Sequence, residues 1–142
     1  MSYTDDLKPK PLNLKELNSL VSTMPFNHLL GMRVVRIYSD GISMEMEITP
    51  PLRNILGTLH GGATASLIDA VIGVSVIQQL GGRAATTVEL KVNYLRPAAQ
   101  GKVRARSKII KIGKTLAVAR AEVHDLHGHH IAMGSATYLL LA

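Results

Sequence analysis

The chain has 142 residues, which is the size of one ordinary domain. Hydrophobic residues make up 46% of it and charged residues 18%, a balance that is typical of a folded globular protein and excludes long disordered, collagen-like or low-complexity segments. There is no cysteine, which excludes disulfides, thiolate zinc sites and a cysteine nucleophile. Because no basic and then apolar leader is visible at the N-terminus, we expect a cytoplasmic protein.

The net charge of +6 is concentrated in one stretch of the chain. Residues 83–120 contain ten Lys and Arg residues but a single acidic residue, Glu89. Basic surfaces of this kind attract nucleic acids, anionic membranes or small molecules that carry phosphate. Aromatic residues make up only 4% of the chain and Trp is absent, so the stacking platforms that bind single-stranded nucleic acid are missing. We therefore expect no nucleic-acid partner.

The N-terminal segment predicts an arm followed by a short helix. Residues 1–11 are polar and contain two prolines, which favours an extended arm. Apolar residues then recur at helical spacing and indicate an amphipathic helix that ends before Pro25. These residues are Leu14, Leu17, Leu20 and Val21. We place a boundary between this N-terminal unit, residues 1–25, and a main domain of residues 26–142.

A β-hairpin is predicted next. Residues 32–38 are rich in β-branched side chains, and Asp40-Gly41 is a strong hairpin signal. In the second strand, apolar side chains alternate with polar ones that we expect to face water. The apolar set is Ile42, Met44, Met46 and Ile48, and the polar set is Ser43, Glu45 and Glu47. Two prolines then begin a loop that runs to about Gly57.

Residues 60–80 predict a buried helix, because apolar side chains surround almost its whole circumference. Polar residues interrupt the apolar run before it reaches the length of a membrane span, so we interpret the segment as a core helix and expect no membrane. Gly81-Gly82 is suited to a left-handed cap at its end.

Four alternating stretches follow and predict four strands, at residues 84–96, 102–112, 115–124 and 129–140. The connections between them are short, which predicts that consecutive strands are antiparallel neighbours. One helix that is apolar on all sides, with a strand-rich remainder, indicates an α+β fold in which a curved antiparallel sheet wraps around the helix. A single sheet cannot cover the helix completely, so we expect at least a homodimer.

The residues that could carry chemistry stand around the start of the central helix. Residues 54–62 read Asn-Ile-Leu-Gly-Thr-Leu-His-Gly-Gly, and Asp69 follows seven residues later. Paired glycines at a loop-to-helix junction allow close backbone approach, and their N–H groups lie at the positive end of the helix, as in an oxyanion hole. Asp69 lies about two turns into an apolar helix, where burying a carboxylate is costly without a function. The alternatives are an ordinary tight turn for the glycines and a capping or bracing role for His60.

This pattern of asparagine, glycine, His-Gly-Gly and helical aspartate closely resembles the hotdog-fold acyl-CoA thioesterases, in particular the phenylacetyl-CoA thioesterase-like branch. The resemblance runs from about Leu30 to the C-terminus and continues through residues 86–97, which end in Arg-Pro, and the hairpin at Gly113-Lys114. It implies a hotdog fold with an additional N-terminal helix. The implied function is hydrolysis of an acyl- or aryl-acyl-CoA to free acid and coenzyme A, without a cofactor.

The resemblance also implies roles for individual residues. Asp69 would be the catalytic carboxylate, either as a general base toward water or as a nucleophile. The Gly61 amide would bind the thioester oxygen, with Gly62 beside it in the substrate site. In this family the aspartate comes from one subunit and the His-Gly loop from the other, so a dimer would hold two sites. We expect a tetramer built from such dimers.

The remaining site residues are supporting ones. His60 would support the glycine loop, Asn54 would position the thioester or water, and Thr87 would hold the attacking water. Coenzyme A carries several phosphate charges, so basic side chains are candidates for contacting it. Those we select are Arg96, Lys111 and Lys114.

Other readings of the sequence remain open. A hotdog dehydratase or hydratase acting on a 3-hydroxyacyl thioester is one alternative, and a non-catalytic acyl-CoA binding module is another, although such a module has no need of Asp69. The histidines at 124, 127, 129 and 130 cluster around a hairpin without a carboxylate-rich ligand pattern, so we predict no metal. No Gly-x-Ser-x-Gly elbow is present, which disfavours a serine hydrolase.

The N-terminal helix lies outside the resemblance. We predict that it closes the acyl end of the site as a lid, near Met44 and Met46, which are candidates to line the acyl pocket. The alternative is that the helix only covers the open edge of the sheet.

Overall fold

The computed structural model describes residues 9–142, so most of the predicted N-terminal arm lies outside the described residues. Three helices and six strands follow in chain order, with a short 3-10 turn at Pro50–Leu52. They are α1 (Leu14–Ser22), α2 (Pro25–Leu29), β1 (Arg33–Tyr38), β2 (Gly41–Glu47), α3 (Gly61–Gln79), β3 (Ala85–Tyr94), β4 (Lys102–Ile112), β5 (Leu116–Asp125) and β6 (His130–Leu140). All six strands form one antiparallel sheet in the order β1-β2-β4-β5-β6-β3.

Helix α3 lies against the inner face of this sheet and contacts every strand from β2 to β6. By length and composition alone it could cross a membrane, but most of it is buried within the domain. Leu67, Ile68, Val71 and Ile72 are completely buried, as expected of a helix that is apolar all round. The helix ends at two glycines with positive φ, Gly81 and Gly82, which provide the left-handed backbone that the sequence predicted.

The connection between β3 and β4 differs from the prediction. Strand β3 pairs with β6 at one edge of the sheet, whereas β4 lies between β2 and β5, so these consecutive strands are not neighbours. Residues 95–101 cross the end of the sheet instead, and other segments satisfy their backbone groups. Leu95 donates to the Ile131 carbonyl, Ala98 accepts from Leu59, and Gly101 accepts from Ile48. A short connection can therefore cross a sheet where its hydrogen bonds are met on the way.

The apolar face of β2 is buried in the core as predicted, but most of its polar face is also shielded from solvent. Ser43 and Glu45 are only 1% and 7% exposed. The Tyr38 hydroxyl lies 3.0 Å from Ser43 Oγ, and Arg104 donates to Glu45 Oε1 at 2.5 Å. Long side chains from the neighbouring strands thus cover short polar ones on the outer face, which alternation alone does not reveal.

Glu45 gives the sheet a pH-dependent contribution to stability. Its hydrogen bond from Arg104 holds the pKa of the Glu45 carboxyl below its usual value of 4.5. Since the folded state favours the carboxylate, this contribution is full above about pH 5 and is lost as the pH falls through the folded-state pKa. Glu45→Gln should lower the free energy of unfolding by about 1–2 kcal/mol at neutral pH.

The measurement is urea denaturation of both proteins at neutral pH and near pH 3. The difference in unfolding free energy should shrink at the acidic pH. Glu47→Gln, on the exposed end of the same strand, is the matched control and should change stability little. A Glu45→Gln deficit of equal size at both pH values would contradict a stabilising carboxylate.

Helix α1 seals the outer edge of the sheet. Its buried residues Leu17 and Val21 join the main core, and the helix packs on the edge strand β1. The Asn18 side chain donates to the Val34 carbonyl at 2.9 Å and accepts from the Val34 N–H at 3.0 Å. These are backbone groups for which an edge strand otherwise has no partner. The geometry of α1 therefore matches the edge-covering alternative.

Candidate active site

The carboxylate of Asp69 lies on α3 where the helix passes β3 and β6. Thr87 of β3 donates its hydroxyl hydrogen to Asp69 Oδ1 at 2.8 Å. The hydroxyl oxygen of Tyr138, on β6, lies 2.5 Å from the same Oδ1. Asp69 is half-buried, so hydroxyl donors from two strands replace part of its hydration. The structure thus places Thr87 beside Asp69.

Tyr138 is a residue that sequence reasoning did not single out. Its side chain is buried, and burial together with the hydrogen bond to Asp69 raises the pKa of Tyr138 above its ordinary value of 10. The phenol therefore keeps its hydrogen at neutral pH and acts as a donor. A usable signal existed in the sequence, because Tyr138 alternates with Ala136 and Leu140 on the inward face of β6, and a buried tyrosine needs a partner for its hydroxyl.

A cavity of about 310 Å³ opens beside Asp69, Thr87 and Tyr138. Most of the other residues around it are apolar and come from the start of α2, from α3 and from β3. These apolar residues are Met24, Phe26, Ala70, Val74, Ile77 and Ala85. Met44 and Met46, which we expected to line an acyl pocket, are instead fully buried in the core. The segment that borders the cavity is therefore α2 rather than α1 or the hairpin.

Asn54 shapes the loop that precedes α3. Its side-chain oxygen accepts from the N–H groups of Leu56 and Thr58 at 3.0 and 3.1 Å, and its amide donates to the Thr58 hydroxyl at 2.9 Å. Such contacts are typical of an asparagine that fixes a turn. Asn54 also borders a second cavity, together with Gly61 and Arg96.

His60 is the N-cap of α3, which is the capping role that the sequence left open. Its Nδ1 accepts from the Gly62 N–H at 2.8 Å. A Cβ at residue 62 would lie 2.9 Å from this nitrogen, so the cap requires glycine there. Because His60 occupies the Gly62 amide, the Gly61 amide is left as the candidate oxyanion donor; no acceptor for it occurs among residues 9–142.

Within one subunit the two halves of the candidate site are apart. Asp69 and Thr87 border the first cavity, whereas Asn54 and Gly61 border the second. Gly61 and Asp69 are separated by eight residues of α3, or roughly 12 Å along its axis. A single chain therefore does not bring the glycine amide to the carboxylate.

The basic residues selected for coenzyme A are also spread out. Arg96 borders the second cavity, and its backbone N–H donates to Ile131 at the start of β6. Lys111 and Lys114 are exposed near the β4–β5 hairpin, at the opposite end of the sheet. One subunit does not gather these three side chains into one phosphate site.

One cluster of side chains consists of residue types that bind metal ions. Glu122, His124 and His130 each offer a ligand atom, and these atoms lie within 4.8 Å of one another. The two imidazole rings are stacked with an angle of 9° between their planes. Lone pairs in parallel planes do not converge on one ion, so coordination would require a ring to rotate. His129 is engaged in the β5–β6 turn, where its Nδ1 lies 2.8 Å from Asp125 Oδ2.

Comparison with known proteins identifies related enzymes. The chain matches the family model of the thioesterase superfamily over residues 56–132. It is 30% identical over 133 residues to the medium/long-chain acyl-CoA thioesterase YigI of Escherichia coli K12, covering 82% of this chain and 86% of YigI. It is 31% identical over 129 residues to acyl-coenzyme A thioesterase 13 of Mus musculus, covering 88% of this chain and 92% of the mouse protein.

Solved structures agree with these matches. A thioesterase from Haemophilus influenzae superposes with a TM-score of 0.85 at 25% identity, covering 95% of this chain and 94% of that one. The PaaI protein from the phenylacetic acid degradation operon of E. coli superposes with a TM-score of 0.81 at 18% identity, over 92% and 97% of the two chains, and shares the fold. Since the family match spans more than half of the sequence, the chain belongs to the thioesterase superfamily of hotdog-fold acyl-CoA thioester hydrolases.

Proposed function

We propose that this enzyme hydrolyses acyl-CoA with a medium or long aliphatic acyl chain, with Asp69 as the catalytic carboxylate. The observation that carries the proposal is a carboxylate held by two hydroxyl donors at the wall of a cavity that apolar side chains line on its other sides together with a few polar ones. The cavity of about 310 Å³ has apolar side chains that an acyl chain could contact, among them Met24, Phe26 and Ile77. The name of the E. coli relative, a medium/long-chain acyl-CoA thioesterase, supports an aliphatic rather than an aryl substrate.

The proposed reaction has two possible courses, which differ in the role of Asp69. Water beside Thr87 loses a proton to the Asp69 carboxylate and attacks the thioester carbonyl, or Asp69 attacks first and water then releases the acid. The carbonyl oxygen gains negative charge, which the Gly61 N–H at the positive end of α3 stabilises. The carbon–sulfur bond breaks, coenzyme A leaves as the thiol by taking up the proton released from water, and the free acid remains.

The proposed site is shared between two subunits. Asp69 and Thr87 of one subunit would face the Gly61 amide and the Asn54 loop of the partner subunit, because one chain keeps them in different cavities. The edge strand β3 supports this arrangement, since it exposes Val88, Leu90 and Tyr94. The same pairing would let Arg96 of one subunit and lysines of the other contact the phosphates of coenzyme A.

The proposal also includes a tetrameric assembly and a cytoplasmic location. Apolar side chains on the outer face of β4, β5 and β6 support a tetramer of two dimers; they include Ile110, Val118, Met133 and Leu139. The proposed location is the cytoplasm, whose reducing conditions are compatible with a chain that contains no cysteine.

The test of the proposed function is thiol release from a panel of acyl-CoA and aryl-acyl-CoA substrates. Saturable hydrolysis with the highest kcat/KM for a medium or long aliphatic chain is the expected result. A preference for phenylacetyl-CoA would contradict the substrate class. Binding of acyl-CoA without turnover would favour the non-catalytic binding module, and dehydration of a 3-hydroxyacyl-CoA would favour the dehydratase.

Phe26 provides a prediction about chain length. Its side chain borders the Asp69 cavity from α2 and is 57% exposed, so it stands at the cavity mouth. Phe26→Ala should open this end and raise the ratio of kcat/KM for palmitoyl-CoA over hexanoyl-CoA by about five-fold. Leu29→Ala is the matched control, because Leu29 is exposed on the same helix but does not border the cavity. An equal change of the ratio in both variants would contradict a selective role for Phe26.

A further inference from the structure

Tyr138 ties strand β6 to the acidic side chain of Asp69. Its hydroxyl oxygen lies 2.5 Å from Asp69 Oδ1 and 2.7 Å from the main-chain carbonyl oxygen of the same residue. A phenol carries one hydrogen, and the two oxygens within reach of it both belong to Asp69. The Tyr138 side chain is only 6% exposed and has little freedom to move away. The contact therefore restrains the orientation of the Asp69 carboxylate relative to α3.

Gly73 makes room for this contact. A Cβ at residue 73 would lie 2.5 Å from Tyr138 Oη and 2.7 Å from Cζ, far inside van der Waals distance. Gly73 follows Asp69 by four residues in α3, so the two residues share one face of the helix. Glycine within a helix is destabilising relative to alanine, and here it provides the space that the phenol occupies.

Only one of the two oxygens of the Asp69 carboxylate accepts hydrogen bonds from the described residues. Within residues 9–142, both donors to it, Thr87 and Tyr138, end on Oδ1. Two donors on one oxygen leave the other oxygen free to take a proton or attack a carbonyl. Tyr138 also lines the cavity, so the side chain that anchors Oδ1 is part of the cavity wall.

We propose that Tyr138 is a positioning residue that anchors Asp69 Oδ1 together with Thr87 and so presents Oδ2 to the thioester, and that Gly73 is needed to seat it. This inference rests on the proposed catalytic role of Asp69. It adds to the reaction a residue that does not touch the reacting atoms, and it explains a glycine in the middle of a buried helix.

Tyr138→Phe tests the proposal, because it removes the hydroxyl and keeps the ring. The variant should lose about ten-fold in kcat with KM within about two-fold of wild type, since a hydrogen bond to a charged group is lost while the cavity wall is kept. Tyr38→Phe is the matched control: it removes a tyrosine hydroxyl that contacts Ser43 on the outer face and should leave kcat unchanged. Thermal unfolding of all variants reports folding.

Gly73→Ala supplies a second and independent test. It should lower kcat at least as much as Tyr138→Phe, because the added methyl would lie 2.5 Å from Oη, 2.7 Å from Cζ and 2.8 Å from Cε1 and would displace the ring together with its hydroxyl. A Tyr138→Phe enzyme or a folded Gly73→Ala enzyme with wild-type kcat would overturn the inference. If wild type hydrolyses acyl-CoA and Asp69→Asn does not, such a result leaves the proposed function intact. If wild type releases no thiol from any acyl-CoA, the proposed function fails and the inference fails with it.

Discussion

Asp69→Asn should lower kcat/KM for the best acyl-CoA substrate by at least about a hundred-fold, because general bases contribute on the order of 10² to 10⁴ to such reactions. The substitution keeps the size of the side chain and a hydrogen-bond acceptor for Thr87 and Tyr138. It removes the negative charge that either attacks the thioester or takes a proton from water. Folding and assembly should therefore be preserved. The measurement is steady-state thiol release, with light scattering to confirm the oligomer.

Asp40→Asn is the matched control for this experiment. Asp40 lies in the β1–β2 turn and is paired with Arg106 on the outer face, away from the Asp69 cavity. Asparagine keeps the size of the side chain and the oxygen that accepts from Arg106 Nη2, so the control should fold and retain its activity. If Asp69→Asn kept more than about a tenth of the wild-type kcat/KM, a loss below about 1.4 kcal/mol in the barrier, Asp69 would not be the catalytic carboxylate.

The fold was predictable wherever one physical pattern dominated a segment. Helix α3 is apolar on all sides, so its burial followed directly, and the glycines at 81 and 82 marked its end. The curved sheet follows from the need to cover that helix. Strand positions followed from alternation and differ from the prediction by one or two residues at some ends.

Features that depend on contacts between distant residues were not predictable in this way. Glu45 is buried because Arg104 and Arg33, from two other strands, lie over it. The path of residues 95–101 depends on acceptors and donors elsewhere in the chain, which the length of the connection does not reveal. A sequence pattern describes a residue and its neighbours along the chain. The burial of Glu45 and the path of residues 95–101 depend instead on residues from other parts of the chain that contact them.

The candidate site likewise has some residues that the local sequence reveals and others that only contacts between distant residues reveal. A motif at residues 54–62 and a carboxylate at Asp69 can be recognised in the sequence because each stands out from its local context. Tyr138 does not, since a single tyrosine in a strand is ordinary until the strand is placed against α3. The capping bond from Gly62 to His60 likewise became clear only from the helix geometry, and it leaves Gly61 as the donor for which a separate test can be designed.

Gly61→Pro should lower kcat by about 10² to 10³, because it deletes the N–H that is proposed to bind the developing oxyanion. The backbone tolerates this change. Residue 61 is the first residue of α3, where proline is favoured, and the preceding His60 has φ −61° and ψ 136°, a conformation that suits a residue before proline. Gly61→Ala is the matched control: it keeps the N–H and adds a Cβ 3.3 Å from the Tyr94 ring, a distance that requires the ring to give by only a few tenths of an ångström.

Mixing the two inactive variants tests whether the site is shared. If Asp69 of one subunit works with the Gly61 amide of the partner subunit, a dimer of one Asp69→Asn chain and one Gly61→Pro chain contains one intact site and one doubly defective site. Random exchange makes half of the dimers mixed, so activity should recover to about a quarter of wild type after co-expression. Activity that stays at the level of the separate variants would contradict the shared site, and so would a wild-type protein that is fully active while light scattering shows it to be a monomer.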